Sequence, residues 1–356
     1  MDIEDRVNLI KQVGEEIITE SELRKLLETK QKPVAYDGFE PSGNVHIAQG
    51  VLRAINVNKM LRAGCKFKML VADWHAWANN KIGGDLEKIK VVGEYLIEIW
   101  KACGMKAENI EFVWVSDLVK EESYWRKVMQ IGRNTTIKRI VRCCQIMGRR
   151  MNEILKASQI IYPCMQAADI FHLGVDIAQL GMDQRKVNML ARELGPKLGY
   201  WKPVAVHHHM LLGLTYKKVS CAGIERTIEL KMSKSKPESA IFMTDSQVVV
   251  KEKILNAYCP LTTEENPILE YCKYIIFEKF DSMVINRPKK YGGSLEVHSF
   301  KELCELYKNK QLHPLDLKIA VAEYINRILE PVRKYFVSNK KANRLLKQVK
   351  SFEVTR

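Results

Sequence analysis

The chain has 356 residues, of which 46% are hydrophobic and 28% charged, and its net charge of +15 favours a polyanionic partner. No apolar run approaches the roughly 20 residues that span a bilayer, and the acidic start at residues 1–5 lacks the features of a signal or transit peptide. Nine scattered cysteines without a Cys-x-x-Cys pair indicate neither disulfides nor zinc, which predicts a cytoplasmic protein with no protein-bound metal and no membrane contact.

The first two thirds of the chain alternate helices with strands. Residues 1–30 are predicted to be helical, with capping-box spacing between Thr19 and Glu22. Strands are predicted at 34–36, 67–72, 110–115, 175–180 and 203–212. Helices are predicted at 46–63, 85–103, 159–173 and 183–194. This order predicts an α/β fold with a Rossmann-like, doubly wound parallel sheet, whose ligands bind beyond the carboxyl ends of the strands.

Helical patterns dominate the rest of the chain, at 246–259, 266–279, 299–309 and 314–350. We therefore predict an N-terminal helical segment (1–32), a Rossmann-like domain (33–247) and an all-α domain (248–356). An insertion at about 118–158 separates the two halves of the predicted sheet.

The positive charge is concentrated in two segments. Residues 126–150 hold eight Lys or Arg, including Arg139 and Arg142, and no acidic residue, while residues 331–356 hold eight against the single Glu353. A solvated helix face normally mixes charges of both signs. The pattern therefore favours nucleic-acid binding over a contribution to solubility alone.

Two segments are suited to contact phosphate, although the chain has neither a P-loop nor a Gly-x-Gly-x-x-Gly fingerprint. His46 begins a predicted helix after a turn that contains Gly43, where free backbone N–H groups favour phosphate. Lys231 and Lys234 lie three residues apart in a loop, where they can neutralise a leaving pyrophosphate. Taken alone, the first segment is more often a helix cap or a packed residue than a catalytic site, and the two lysines favour an exposed basic loop.

Together these segments resemble a known family. Residues 41–49 (Pro-Ser-Gly-Asn-Val-His-Ile-Ala-Gln) resemble the first signature of class I aminoacyl-tRNA synthetases, and residues 231–235 (Lys-Met-Ser-Lys-Ser) match the second. Residues 162–169 and 181–186 resemble the amino-acid and ribose motifs of tyrosyl-tRNA synthetases of the archaeal and eukaryotic type. The resemblance extends from about residue 5 to residue 335.

The resemblance implies a tyrosine–tRNA ligase. Such an enzyme activates L-tyrosine with ATP, accompanied by Mg²⁺, and transfers the tyrosine from tyrosyl-adenylate to tRNA(Tyr). It also implies a homodimer, with the insertion at 118–158 contributing to the dimer interface and to acceptor-stem binding. Residues 248–356 would then form the anticodon-binding domain.

The resemblance assigns roles to individual residues. Tyr36 and Asp169 are expected to contact the phenolic hydroxyl of tyrosine, which gives a discrimination against phenylalanine of roughly 10⁴–10⁵. The other expected tyrosine contacts are Gly38, Ala72, His75, Tyr162, Gln166 and Gln184. The expected ATP contacts are Gly43, His46, Gln49, Gly181, Asp183, Met210, Lys231, Met232, Ser233, Lys234 and Ser235. His46, Lys231 and Lys234 are expected to be catalytic.

For tRNA, the resemblance implies contacts from Tyr291, which can stack on a base, and from Asp316, which can accept hydrogen bonds from guanine. Arg139 and Arg142 are expected to serve the acceptor stem. The run His207-His208-His209 lacks Cys or acidic partners at ligand spacing, which favours a structural or adenine-edge role over a metal site.

Two positions depart from the family pattern. The first signature usually ends in Gly-His, where this chain has Ala48 and Gln49, and Gln49 can donate a hydrogen bond but carries no charge. Val119 stands where archaeal relatives have a polar Gln.

Three alternatives remain at this point. A tryptophanyl-tRNA synthetase shares the signatures, but the pair Tyr36 and Asp169 suits a hydroxyl better than an indole. A catalytically silent RNA-binding paralogue would not need the intact Lys231 and Asp183. A different adenylyl- or nucleotidyl-transferase would not need the anticodon-like segment after residue 248.

Overall fold

The computed structural model describes residues 1–147, 154–215, 219, 226, 229–232 and 236–352. Six strands form one sheet with the spatial order β1-β6-β5-β2-β3-β4. They are β1 (Glu16–Ile18), β2 (Val34–Phe39), β3 (Lys66–Val71), β4 (Ile110–Trp114), β5 (Ile177–Gly181) and β6 (Val204–His208). Strands β2 to β6 pair in parallel, and β1 pairs antiparallel with β6 at the edge. The predicted doubly wound parallel sheet is confirmed.

Ten α-helices accompany this sheet among the described residues before residue 200. They are α1 (Ile3–Lys11), α2 (Glu20–Thr29), α3 (Arg53–Arg62), α4 (Asp73–Ala78), α5 (Leu86–Ala102), α6 (Val115–Leu118), α7 (Glu122–Arg133), α8 (Ile137–Cys143), α9 (Ala157–His172) and α10 (Arg185–Leu194). A π-helical turn, Ala48–Leu52, precedes α3. None of the helices in the described part of the chain is long and apolar enough to cross a membrane.

The sheet is buried on both faces, with a separate apolar cluster on each. Ala35 and Ile177 belong to one cluster, whereas their chain neighbours Tyr36 and Ala178 belong to the other. Alternate side chains of a strand point to opposite faces, which explains this division. Strands that are buried on both faces read as nearly continuous apolar runs, and this is why the parallel strands were predictable.

The region after residue 246 is mainly helical. It contains α11 (Gln247–Leu255), α12 (Pro267–Tyr271), α13 (Phe300–Lys308), α14 (Pro314–Ser338) and α15 (Lys340–Ser351). A small antiparallel pair, β7 (Met283–Ile285) and β8 (Leu295–Val297), lies among these helices and was not predicted.

Three local predictions were wrong. The expected helix over residues 1–30 is interrupted by β1, because the β-branched pair at 17–18 extends along β6. The expected helix over 314–350 breaks at Asn339, whose side chain caps α15 by accepting from the Ala342 N–H at 3.0 Å. His46 forms an isolated bridge with Phe242 and lies two residues before the π-helical turn, so it does not begin a regular helix.

The strand order places the topological switch point between β2 and β5. The chain runs from β2 towards β3 and β4 on one side, and from β5 towards β6 on the other. Ligands of doubly wound sheets bind at the carboxyl ends of the strands where the order reverses. The ends of β2, β3 and β5 carry Gly38, Ala72 and Gly181, which were all expected to line the site.

Candidate active site

The Asp169 carboxylate on α9 is the centre of a buried cluster of polar side chains, to which β2 contributes Tyr36. Asp169 is fully buried, and its Oδ1 accepts a hydrogen bond of 2.9 Å from the hydroxyl of Tyr124 on α7. The Tyr36 hydroxyl is also fully buried and has no hydrogen-bond partner among the described residues. The pKa of Tyr36 is raised, mainly by burial and secondly by the negative charge of Asp169. Both expected hydroxyl-binding residues therefore face the same buried space.

His75 completes this group from α4. Its Nε2 lies 3.1 Å from Asp169 Oδ2, although the two atoms lack hydrogen-bond geometry. Burial opposes a charge on the imidazole, but the interaction with Asp169 and the negative charges of Glu40 and Asp73 together outweigh burial and raise the pKa of His75. The His75 ring meets the ring of Tyr162 edge to face, with centroids 4.7 Å apart.

One face of α9 carries three of the expected tyrosine contacts. Tyr162, Gln166 and Asp169 follow one another at spacings of four and three residues, so they lie on the same side of the helix. Pro163 cannot donate to the Gln159 carbonyl, and the Cys144 thiol donates to that carbonyl instead at 3.4 Å.

Amide groups connect α9 to the nucleotide side of the site. Gln166 Nε2 donates to Gln184 Oε1 at 3.0 Å, and Gln184 Nε2 donates to the Ile146 carbonyl at 3.1 Å. Gln166 Oε1 is buried without a partner in the described part of the chain. An unpaired buried amide oxygen costs free energy, so it is suited to accept from a ligand donor such as an ammonium group.

The apolar wall is formed by residues of the same cluster. Tyr36, Ala72 and Tyr162 belong to it, and a side chain at Gly38 would come within 3.4 Å of Leu70 Cβ. Val119 packs at the edge of this cluster. The polar Gln expected there in archaeal relatives is thus replaced by an apolar contact.

Glu40 closes the site near Tyr162. Asn79 Nδ2 donates to its carboxylate at 3.0 Å, and Lys81 Nζ lies 3.6 Å away. The pKa of Tyr162 is raised, mainly by burial and secondly by the negative charge of Glu40. Sequence reasoning missed Glu40, because one acidic residue in a Gly- and Pro-rich turn carries no distinguishing signal.

The expected ATP contacts meet at the ends of β5 and β6. Lys231 Nζ lies 2.6 Å from Asp183 Oδ2. A Cβ built on Gly181 would lie 2.6 Å from Met210 Sδ and 2.7 Å from Asp183 Oδ1, so a side chain at this position would displace both groups. Four of the residues expected to contact ATP are thereby brought together.

The first signature pairs with the segment that follows the loop carrying Lys231: the Ile47 N–H donates to the Ile241 carbonyl at 2.8 Å, and the Met243 N–H donates to the Val45 carbonyl at 2.9 Å. Gly43 has φ = 100°, a left-handed conformation that glycine adopts without strain. The His46 carbonyl accepts from the Gly50 N–H at 3.0 Å, and the Gln49 carbonyl accepts from Trp100 Nε1 at 2.8 Å. Gln49 Oε1 is buried and has no partner among the described residues. Ser233, Lys234 and Ser235 lie outside the described residues.

A buried ionic network supports the switch point, and it was not predicted. Arg53 on α3 lies 2.5 Å from Asp37 Oδ2 and donates to Gln179 Oε1 at 2.5 Å. Burial raises the pKa of Asp37 and lowers that of Arg53, each opposed by the charge of its partner. His208 Nδ1 lies 3.0 Å from Arg53. This network joins β2, β5 and β6 directly behind the ligand crevice.

The three consecutive histidines have separate partners. His207 Nδ1 contacts Glu16 at 2.8 Å, and its Nε2 contacts Asn188 at 3.0 Å. His209 lies between Glu15 and Glu270, with both contacts at 3.1 Å. These contacts agree with the expected structural role, and no cluster of three metal-ligating side chains occurs in the described ranges.

The expected tRNA contacts lie away from this crevice. Tyr291 is 61% exposed, and Lys290 Nζ lies 4.9 Å from the centre of its ring. Arg287 donates to the carbonyls of Gly293 and Gln311, which ties the Tyr291 turn to the segment that leads to Asp316.

The two assigned arginines in the 126–150 segment differ in accessibility. Arg142 is exposed. Arg139 pairs with Glu193 at 2.8 Å. Arg149 and Arg150 lie outside the described residues.

Comparisons with known proteins agree with this geometry. The family described as "tRNA synthetases class I (W and Y)" matches residues 28–330. The chain is 50% identical to "Tyrosine--tRNA ligase 1, cytoplasmic" of Arabidopsis thaliana, an alignment that covers all of this chain and 90% of the relative.

Two solved structures are similar throughout. The tyrosyl-tRNA synthetase from Pyrococcus horikoshii complexed with L-tyrosine has a TM-score of 0.90 and 40% identity, covering 98% of this chain and all of that one. The Leishmania major enzyme in complex with tyrosinol has a TM-score of 0.90 and 43% identity; it covers 99% of this chain, which spans 61% of that longer one. The chain therefore belongs to the class I tRNA synthetases of the tryptophan and tyrosine group, and within that group to the tyrosine–tRNA ligases.

Proposed function

We propose that the residues described above perform the two steps of tyrosine–tRNA ligation as follows. L-tyrosine binds along α9, and ATP, taken as its Mg²⁺ complex, binds at the ends of β2, β5 and β6. The tyrosine carboxylate attacks the α-phosphorus, pyrophosphate leaves, and tyrosyl-adenylate forms. The terminal ribose hydroxyl of tRNA(Tyr) then attacks the activated carbonyl, and AMP leaves.

The choice of amino acid is carried by the buried Tyr36 hydroxyl, which has no partner among the described residues and faces Asp169. The Asp169 carboxylate would accept a hydrogen bond from the phenolic hydroxyl of the substrate, and the Tyr36 hydroxyl would donate one to the phenolic oxygen. Phenylalanine would leave the Tyr36 hydroxyl and Asp169 Oδ2 without hydrogen bonds in a buried pocket, which is costly. Tryptophan offers only one indole donor, so the tryptophan-specific alternative is disfavoured.

The remaining tyrosine contacts follow from the positions of the side chains. Gln166 Oε1 is a buried acceptor without a partner in the described ranges and is suited to the substrate ammonium group. Tyr162 and Gln184 flank it. Gly38, Ala72 and His75 would surround the aromatic ring.

The activation step needs no general base, because the tyrosine carboxylate is already a nucleophile. The rate must come from positioning and from stabilisation of the negative charge that develops on the phosphates. Asp183 would accept hydrogen bonds from the ATP ribose, while Lys231 would turn from Asp183 to the phosphates. His46 and Lys234 would act on the same charge. Gln49 would contribute a hydrogen bond without a charge.

The chain is proposed to act as a cytoplasmic homodimer on tRNA(Tyr). Large apolar side chains in the 118–158 insertion are exposed, namely Met129 (63%), Ile137 (76%) and Ile154 (99%). A contiguous apolar patch on a monomer marks an interaction surface, and we propose that a second copy covers these three side chains. Arg139 and Arg142 in the same insertion would contact the acceptor stem, and Tyr291 and Asp316 in the 248–356 domain would read the anticodon.

Amino-acid-dependent exchange of pyrophosphate into ATP tests this proposal most directly. The full chain would be assayed with each proteinogenic amino acid in turn, and exchange is expected with tyrosine alone. Exchange with tryptophan would support the rival specificity. Absence of exchange with every amino acid, combined with tight tRNA binding, would support the silent paralogue.

A further inference from the structure

A short helix of the C-terminal region contacts the base of the loop that carries the signature lysines. We define the loop stem as residues 211–214 and 230–232. Leu212 bridges to Lys231, and the Gly213 N–H donates to the Leu230 carbonyl at 2.8 Å. Any group that holds one side of this stem therefore also holds Lys231.

Helix α12 contacts both sides of the loop stem. The Glu270 carboxylate accepts from the Leu212 N–H at 2.8 Å on one side. The Tyr271 hydroxyl donates to Met232 Sδ at 3.9 Å on the other side, where Met232 is the second residue of the signature. Tyr271 is fully buried and Met232 nearly so. Two adjacent residues of one helix thus contact Leu212, which forms the bridge to Lys231, and Met232, which follows Lys231 in the chain.

The helix is itself held in place. Asn266 is buried, and its Oδ1 accepts from the N–H groups of Ile268 and Leu269, which caps α12. Its Nδ2 donates to the Pro260 carbonyl at 3.1 Å. From the sheet, His209 Nε2 lies 3.1 Å from Glu270 Oε2.

A third contact reaches the loop beyond its stem. Arg226 forms two hydrogen bonds of 2.7 Å with the carboxylate of Glu265, just before the helix cap. Contacts from residues 265–271 therefore reach the loop at three separate points.

We infer that Glu270 and Tyr271 are positioning residues for Lys231, and that they hold the loop stem so that its ammonium group can reach ATP. This inference rests on the proposed action of Lys231 on ATP. Neither residue touches a reacting group, so each acts only through the backbone and the buried sulfur of the stem. The 248–356 region, proposed to read the anticodon, would thereby also set the geometry of the ATP site.

The test is pyrophosphate exchange by the full chain, with ATP and tyrosine varied separately. Glu270→Ala removes a hydrogen bond to a charged acceptor and is expected to lower kcat/KM for ATP about tenfold. The KM for tyrosine should stay within about twofold of wild type, because Glu270 contacts Leu212 and His209, which are not among the residues proposed to bind tyrosine. Glu270→Gln should recover most of the loss, since its amide oxygen can still accept from the Leu212 N–H.

Tyr271→Phe keeps the buried ring and removes only the weak bond to sulfur, so kcat/KM for ATP should fall by about twofold to threefold. It also provides a test if Glu270→Ala fails to fold. The matched control is Glu264→Ala, a neighbouring exposed carboxylate, which should leave both kinetic constants unchanged.

Two results would overturn the inference: wild-type kinetics for Glu270→Ala, or a rise in the KM for tyrosine as large as the fall in kcat/KM for ATP. Lys231→Ala separates this failure from failure of the proposed function. If Lys231→Ala exchanges normally, the proposed role of Lys231 is wrong. If Lys231→Ala is inactive and Glu270→Ala is normal, only the positioning role is wrong.

Discussion

Lys231 Nζ and Asp183 Oδ2 lie 2.6 Å apart. The first lysine of the second signature is thus paired with the carboxylate that is expected to bind the ribose. In the proposed function, ATP would replace this contact with its own contacts to both side chains, so that binding of the ribose by Asp183 would release Lys231 towards the phosphates. The Lys231–Asp183 pair is partly exposed, so its contribution to stability is small. We expect its role to lie in ATP binding.

Asp183→Asn should therefore raise the KM for ATP by roughly tenfold to a hundredfold, because it removes a charged acceptor from the ribose site. The KM for tyrosine should change little. Steady-state exchange kinetics provide the measurement, and Asp117→Asn, which breaks an exposed contact with Lys120, is the matched control. A KM for ATP equal to that of wild type would contradict the role given to Asp183.

Asp169→Ala should abolish the preference for tyrosine over phenylalanine, which is expected to be roughly 10⁴–10⁵ in the wild type. The measurement is the ratio of kcat/KM for the two amino acids in exchange. Tyr124→Phe removes one hydrogen bond to Asp169 and leaves the carboxylate in place, so it should reduce the ratio only by about tenfold. Survival of full selectivity in Asp169→Ala would show that another group recognises the phenol.

Arg53→Met should destabilise the fold by about 3–5 kcal/mol, because it leaves the Asp37 carboxylate buried without its counter-charge. Urea unfolding monitored by tryptophan fluorescence gives the free energy. The double variant that combines Arg53→Met with Asp37→Leu lacks the unpaired buried charge and should recover part of the lost free energy of unfolding. If the double variant is no more stable than Arg53→Met, packing rather than the unpaired charge is responsible.

His209 should stabilise the protein in a pH-dependent way. Burial opposes its charge, but Glu15 and Glu270 outweigh burial and raise its pKa to about 9. A raised folded-state pKa contributes stability below the unfolded-state value of about 6.5, and that contribution is lost as the pH rises through about 9.

The free energy of unfolding of wild type should exceed that of His209→Gln by about 1–2 kcal/mol at pH 6, after allowance for the partly exposed Glu15. The difference should vanish by pH 10. Urea unfolding of both proteins across this range is the test, and a difference that grows with pH would have the wrong sign.

Binding of tRNA(Tyr) should weaken steeply with salt, because the 126–150 segment is expected to replace counterions at phosphates. Arg142→Ala should reduce the slope of log K against log salt by about one. Arg139→Ala should have a smaller effect, since Arg139 already pairs with Glu193. A slope that does not change in Arg142→Ala would remove that residue from the phosphate contacts.

Sequence patterns predicted the parallel sheet because its strands are apolar on both faces, as Ala35 and Tyr36 illustrate. They missed β1, which has three residues and gains its stability from pairing with β6. No local pattern could reveal the Arg53–Asp37 pair, because it depends on how α3 packs against β2.

The candidate site was predictable to a different extent. Tyr36 and Asp169 were assigned through the family resemblance, and the fold brings them to one buried space. Tyr124 lies on an amphipathic helix, where a buried tyrosine is ordinary, so its bond to Asp169 could be recognised only in three dimensions.

Helix α9 also sets a length scale. Tyr162 and Asp169 lie seven residues apart on one face, which is two turns and about 10 Å along the axis. One helix thus carries the groups proposed to bind both ends of the amino acid, so helical geometry fixes the separation between these groups. Inserting one residue into α9 between Tyr162 and Asp169 would rotate one of these side chains by about 100° relative to the other. The helix could then no longer bind both ends of the substrate at once.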